Sequence, residues 1–191
     1  MVVRDLLPAA ALLIVSMLCL SILLFQLVTG VPPFSSTALE GENVVALLKR
    51  AGLAEGAMVY ELGSGWGSLV IALARAFPTA QIRGVEISPL PYWVSRFRTR
   101  NMPNVLLSRG NFFDCNLTDA QAVTCYLMTN TMPRIAELLD RTLVPGTPVV
   151  SLCFWFRERE VAASLERSGL LGAAALYYWP APRRASPNAQ P

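Results

Sequence analysis

Glu61-Leu62-Gly63-Ser64-Gly65-Trp66-Gly67 is the stretch that decides the fold. It follows Ala57-Met58-Val59-Tyr60-Glu61-Leu62, a short apolar run that predicts a buried strand. It leads into Leu69–Phe77, which predicts a helix that stops before Pro78. A strand passing through a glycine turn into a helix gathers free backbone N–H groups at one point. Gly63 and Gly65 let the chain turn sharply and let a ligand approach the backbone. A second strand, Gln81–Glu86, ends in a carboxylate twenty-five residues after Glu61. A carboxylate placed there can accept hydrogen bonds from both ribose hydroxyls of a nucleoside.

Glycine turns alone do not separate nucleoside ligands from dinucleotides. The dinucleotide fingerprint has its third glycine three residues after the second, whereas here Ser68 holds that place and the spacing is G-x-G-x-G. The sign of Glu61 separates the two better. A carboxylate beside the first glycine opposes a pyrophosphate and suits a cation, such as the amino and sulfonium groups of S-adenosylmethionine.

Working outward, a helix is predicted from about Ala38 to Ala51, N-capped within Ser35-Ser36-Thr37. Pro89–Arg100 predicts a helix with Trp93, Val94 and Phe97 inward and Arg96, Arg98 and Arg100 on a solvated face. Strands follow at Asn104–Ser108, Val123–Met128 and Thr147–Phe154, with a helix at Pro133–Leu143. Alternating strands and helices of this length imply an α/β domain, Rossmann-like, with a mostly parallel sheet covered on both faces. Val161–Glu166 fits a helix or a strand, Arg167-Ser168-Gly169 a turn, and Leu171–Trp179 a strand; an antiparallel hairpin closing the sheet is the favoured ending. The division expected is an anchor at 1–30, a linker and helix at 31–56, the domain at 57–180 and a disordered tail at 181–191.

Composition sets the surroundings. Apolar residues make up 53% and charged residues 15% of 191 residues, and the excess lies near the N-terminus. Leu6 to Val28 is 23 residues without a charge, long enough to cross a bilayer and too long for the apolar core of a signal peptide. One N-terminal transmembrane helix is therefore expected. The net charge of +3 does not suggest a nucleic-acid partner. The chain has no His, and its cysteines Cys19, Cys115, Cys125 and Cys153 form no C-x-x-C pair, so no zinc site is expected. Cys125 and Cys153 read as buried, reduced thiols in strands.

The domain resembles the class I methyltransferases, whose first motif is an acidic residue followed by GxGxG. That resemblance implies S-adenosylmethionine as cofactor, with Glu61, Gly63, Ser64, Gly65 and Gly67 along its methionine part and Glu86 at the ribose. It implies Asn111 at the adenine amino group and Phe112 over the adenine face, and it puts Thr129 and Asn130 on the substrate side. A membrane segment, then Pro33-Phe34-Ser35-Ser36-Thr37, then Val-Tyr-Glu-Leu-Gly-Ser-Gly is similar to the membrane-anchored lysine methyltransferases, whose mitochondrial members modify the ATP synthase c subunit and the adenine nucleotide carrier. This narrower resemblance implies a membrane-associated acceptor, a protein lysine first and a small or lipid-like molecule second. It also implies Phe34, Thr37 and Trp66 near that acceptor. Trp66 stands where that family has Asp, and is as readily a packing residue. The other class of function is a non-catalytic, membrane-tethered module for cofactor binding or interaction. The resemblance assigns no catalytic side chain. The expected location is a bacterial inner membrane with the domain cytosolic.

Overall fold

The computed structural model describes residues 38–165 and 173–183, with residues 8, 10–13 and 15–17 near the N-terminus. Two compact units result, Met1–Phe34 and Ser35–Pro191. In the first, the described residues are helical, and Leu12, Leu13, Val15 and Met17 are exposed. Among the described residues no helix is long and apolar enough to cross a membrane. Most of residues 6–28, on which the transmembrane expectation rests, lie outside the described set.

The second unit is a seven-stranded sheet in the order β3-β2-β1-β4-β5-β7-β6. The strands are β1 (Met58–Leu62), β2 (Gln81–Glu86), β3 (Val105–Arg109), β4 (Ala122–Cys125), β5 (Thr147–Leu152), β6 (Ala163–Leu165) and β7 (Ala174–Trp179). The helices are α1 (Ala38–Arg50), α2 (Ser68–Ala76), α3 (Pro89–Arg98) and α4 (Met132–Thr142). β1 to β5 pair in parallel, so their C-terminal ends meet along one edge. The antiparallel ending is present: β7 runs antiparallel to both β5 and β6 and lies between them. The predicted Arg167–Gly169 turn lies outside the described residues.

Two cores flank the sheet, as alternating strand residues dictate. Val59, Ile82, Ala122, Val150 and Leu176 pack with Val44, Leu47 and Leu48 of α1 and Leu69, Val70 and Leu73 of α2. Tyr60, Leu62, Val123, Val149 and Tyr177 pack with Ile135, Leu138 and Leu139 of α4. β4 and β5 are shorter than expected because Tyr126 and Cys153 already leave the ladder; Cys153 has φ +62, so it is not a strand residue. Cys115, Cys125 and Cys153 are free thiols.

One expectation is reversed in α3. Trp93 is 57% and Phe97 66% exposed, while Tyr92, Ser95 and Thr99 face inward. The inward hydroxyls of Ser95 and Thr99 donate to the carbonyls of Tyr92 and Ser95 on their own helix. Arg96, Arg98 and Arg100 are exposed, as expected, and each makes contacts along that face. Arg96 and Arg100 lie over the Trp93 and Phe97 rings, and Arg98 reaches back to the glycine loop.

Asp140 of α4 ties that helix to β7. Its Oδ1 accepts from the Trp179 indole at 2.9 Å and its Oδ2 from Arg159 at 2.6 Å. Trp179 is 1% exposed, so removing the acceptor strands a buried donor. Asp140→Ala is expected to cost about 2 kcal/mol, read as a fall in the urea midpoint. An unchanged midpoint would show that the tie carries no stability.

Candidate functional site

The parallel pairing of β1 with β2 brings the glycine loop against the end of β2. The backbone N–H groups of Gly63 and Ser64 both donate to the Val85 carbonyl, at 2.9 and 3.0 Å. Gly67 N–H closes a turn onto the Ser64 carbonyl at 2.9 Å. Glu86 then clamps the loop: Oε2 accepts from Gly65 N–H and Oε1 from Ser88 N–H, each at 2.7 Å. Arg98 of α3 donates to the Trp66 carbonyl at 2.5 Å from the other side.

Close packing fixes the loop's width. Gly67 starts α2 at φ +80, and a Cβ there would lie 2.8 Å from the Ser95 Cβ. Gly84 in β2 plays the same part from below, since its Cβ would lie 2.9 Å from Ser64 Cβ and 2.6 Å from Leu107 Cδ2. Sequence reasoning missed Gly84. A glycine inside an otherwise apolar strand was the signal for such a close approach.

Glu61 is 3% exposed. Its carboxyl is held well above the usual range, first by burial and then by the nearby Glu86, against one backbone hydrogen bond from Val70. Glu61 Oε2 and the Ser64 hydroxyl are buried without a hydrogen-bond partner. A buried carboxylate oxygen left unsatisfied is costly. Here one faces a second carboxylate at the mouth of a glycine loop. A ligand that brings a cationic donor and a ribose satisfies both groups, so the residues present fit S-adenosylmethionine.

The other expected residues fall on the same sheet edge with less definition. Asn111 follows β3 and is exposed; its Oδ1 accepts from Phe113 N–H at 3.1 Å and caps the 3-10 turn Phe112–Asp114. That oxygen keeps a second lone pair for an amino group. Phe112 is half-buried, with its ring 4.7 Å from that of Phe113. Thr129 and Asn130 form an exposed turn between β4 and α4. The Trp66 side chain is half-buried. Phe34 and Thr37 lie outside the described residues. Sequence reasoning passed over a cluster past the strand ends: buried Glu40 of α1, with half-buried Tyr126 after β4 and Cys153 after β5.

A parallel five-strand sheet with an antiparallel ending and a glycine loop at its C-terminal edge is the class I, S-adenosylmethionine-dependent methyltransferase fold. A solved RNA methyltransferase from Salinibacter ruber, in complex with S-adenosyl-L-homocysteine, superposes with a TM-score of 0.68 over 83% of this chain and all of that one, at 24% identity. A methyltransferase from Geobacter sulfurreducens, also with S-adenosyl-L-homocysteine, gives 0.51 over 61% of this chain and 48% of that one. In sequence, residues 61–163 match the ANTKMT methyltransferase domain, and the chain belongs to that family. A protein-lysine N-methyltransferase of Saccharolobus islandicus (strain REY15A) is 32% identical over 120 residues, 61% of this chain and 74% of that protein. The chain is thus a methyltransferase.

Proposed function

We propose that this enzyme carries the methyl group of S-adenosylmethionine to the side-chain amine of a protein lysine. The observation that carries the donor half is Glu61, buried beside the glycine loop with an oxygen unsatisfied. Glu61 receives the cationic end of the donor, Ser64, Gly63, Gly65 and Gly67 line its methionine part, and Glu86 accepts from the ribose. Asn111 and Phe112 lie on the adenine side. S-adenosylmethionine supplies an already activated methyl group, so the protein's task is to align the acceptor and keep water out. Kinship with a protein-lysine N-methyltransferase supports the acceptor half.

Residues 6–28 anchor the domain to a membrane, which places the acceptor there. Their 23 residues without charge support this. The membrane is a bacterial inner one with the domain on the cytosolic side, where the donor is made. Trp66, Thr129 and Asn130 are the described residues assigned to the acceptor side, and Phe34 and Thr37, assigned there by the family resemblance, lie outside the described residues.

The test is to incubate the full-length protein with methyl-labelled donor and membranes. Methyl-lysine recovered after protein hydrolysis is the expected result. Label confined to the lipid extract or to RNA overturns the lysine reading, and equal labelling of soluble and membrane protein overturns the membrane-bound acceptor.

A further inference from the structure

Past the ends of β4 and β5, on the face roofed by α1 and α2, polar and aromatic side chains gather that the donor site does not use. Pairing places them beside it. Glu61 and Leu62 of β1 pair with Thr124 and Cys125 of β4, and Cys125 with Ser151 of β5. The first residue beyond β4 is Tyr126, and the first two beyond β5 are Cys153 and Phe154. The chain after β4 touches the glycine loop, since a Cβ on Gly63 would lie 3.0 Å from Leu127 Cδ2. Strand alternation puts Glu61 on the same face as Val59. Val59, Ala122 and Tyr126 all pack into the core under α1 and α2.

From above, the first turn of α1 lowers Glu40 into this place, 5% exposed. The Cys153 thiol donates to Glu40 Oε1 at 3.7 Å, linking residues 113 apart in sequence. The Tyr126 ring stacks on Phe154, centroids 6.4 Å apart and planes 29° apart. Burial keeps the proton on the Tyr126 hydroxyl, with further support from Cys153 and Glu40. A first-turn position explains why α1 tolerates an acid there. It does not explain why that acid is buried against side chains from two strand ends.

We propose that Glu40, Tyr126 and Phe154 form the subsite for the acceptor amine, set beside the glycine loop so that the incoming nitrogen lies between Glu40 and the donor's methyl group. The proposal rests on the lysine reading above and adds the residues that meet the acceptor. The stacked Tyr126–Phe154 pair offers an aromatic surface along one side of the amine and its alkyl stem, as rings do for alkylammonium groups. Glu40 accepts an amine N–H and draws off the proton that must leave before the nitrogen can attack. The nitrogen lone pair then forms the new N–C bond while the C–S bond breaks. The C–S bonding pair stays on sulfur, leaving a neutral thioether, and the positive charge passes to nitrogen as an N-methylammonium. Cys153 positions the Glu40 carboxyl and takes no part in the bond changes.

The experiment uses the full-length protein, methyl-labelled S-adenosylmethionine and poly-L-lysine as acceptor probe, with poly-L-arginine as control. Glu40→Gln keeps the helix-capping capacity of the side chain. It is expected to lower kcat on poly-L-lysine by about 100-fold near pH 7.5, the scale of general-base catalysis, while donor affinity stays within about twofold. The deficit should shrink toward about pH 10, where free lysine loses its own proton; a purely structural role would not move with pH in that way. Tyr126→Phe, which keeps the ring, is the second variant, and its smaller loss, about 5- to 10-fold, matches one hydrogen bond. A wild-type protein that binds donor but leaves poly-L-lysine unlabelled overturns the lysine reading and this subsite with it. An active wild type with Glu40→Gln equally active, or with donor affinity lost in step with rate, overturns the subsite alone.

Discussion

Replacing Glu61 by Gln is expected to weaken S-adenosylmethionine binding by about 10- to 150-fold, the range for losing a hydrogen bond to a charged group, and to make the ligand-free protein more stable. Both effects have one origin. Glu61 is 3% exposed, near Glu86, and its folded-state carboxyl is raised well above the ordinary value near 4.5. The folded protein therefore holds a proton that the unfolded chain has already released. Stability is fully present below the unfolded value and declines as pH rises through the folded one. Gln never carries this charge, so the variant gains nothing at acid pH and about 1–2 kcal/mol near neutrality. Thermal melts of both proteins across this range read the difference. A variant that is less stable at pH 7 and binds the donor as tightly as before would show that Glu61 is a structural carboxylate.

Gly67→Ala is expected to cost about 3 kcal/mol, or about 6–12 °C in Tm for a chain of this length. Two penalties combine. The φ of +80 is one that Ala adopts at a cost of about 1–2 kcal/mol. The new Cβ would lie 2.8 Å from the Ser95 Cβ and 3.3 Å from its Cα, so α3 as a whole must move away from the start of α2. Adding Ser95→Gly removes the nearer contact and leaves the backbone penalty, so the double variant should recover about half of the loss. A single variant that melts with the wild type would mean that α2 and α3 do not meet through this glycine.

These two residues also show what the sequence made legible. The strand, glycine loop, helix and second carboxylate follow from local pattern and charge. They stand where expected because they lie within one βαβ unit, whose geometry the chain itself dictates. The inward face of α3 was misread because Trp93 and Phe97 stand four residues apart, the spacing of a core stripe. What decides the face is the close approach at Gly67, which admits only the small Ser95, and that contact joins residues far apart in sequence. Glu86 was read as a ligand residue alone. Its hydrogen bonds to Gly65 and Ser88 make it the clamp of the loop as well, a role visible only once the loop has folded back. Tyr126 and Cys153 carried no local motif, and Glu40 offered only the pattern of a first-turn helix acid. They come from three elements, and only the sheet order brings them to one place.

The central claim is that the Glu61–Gly67 loop and Glu86 hold S-adenosylmethionine. Calorimetric titration of the full-length protein with S-adenosylmethionine and with its demethylated product tests it most directly. One site per chain for each ligand, with tighter binding of the cationic donor in wild type and loss of that preference in Glu61→Gln, is the predicted result. No heat of binding from either ligand, in a protein shown to be folded by its thermal melt, would contradict it.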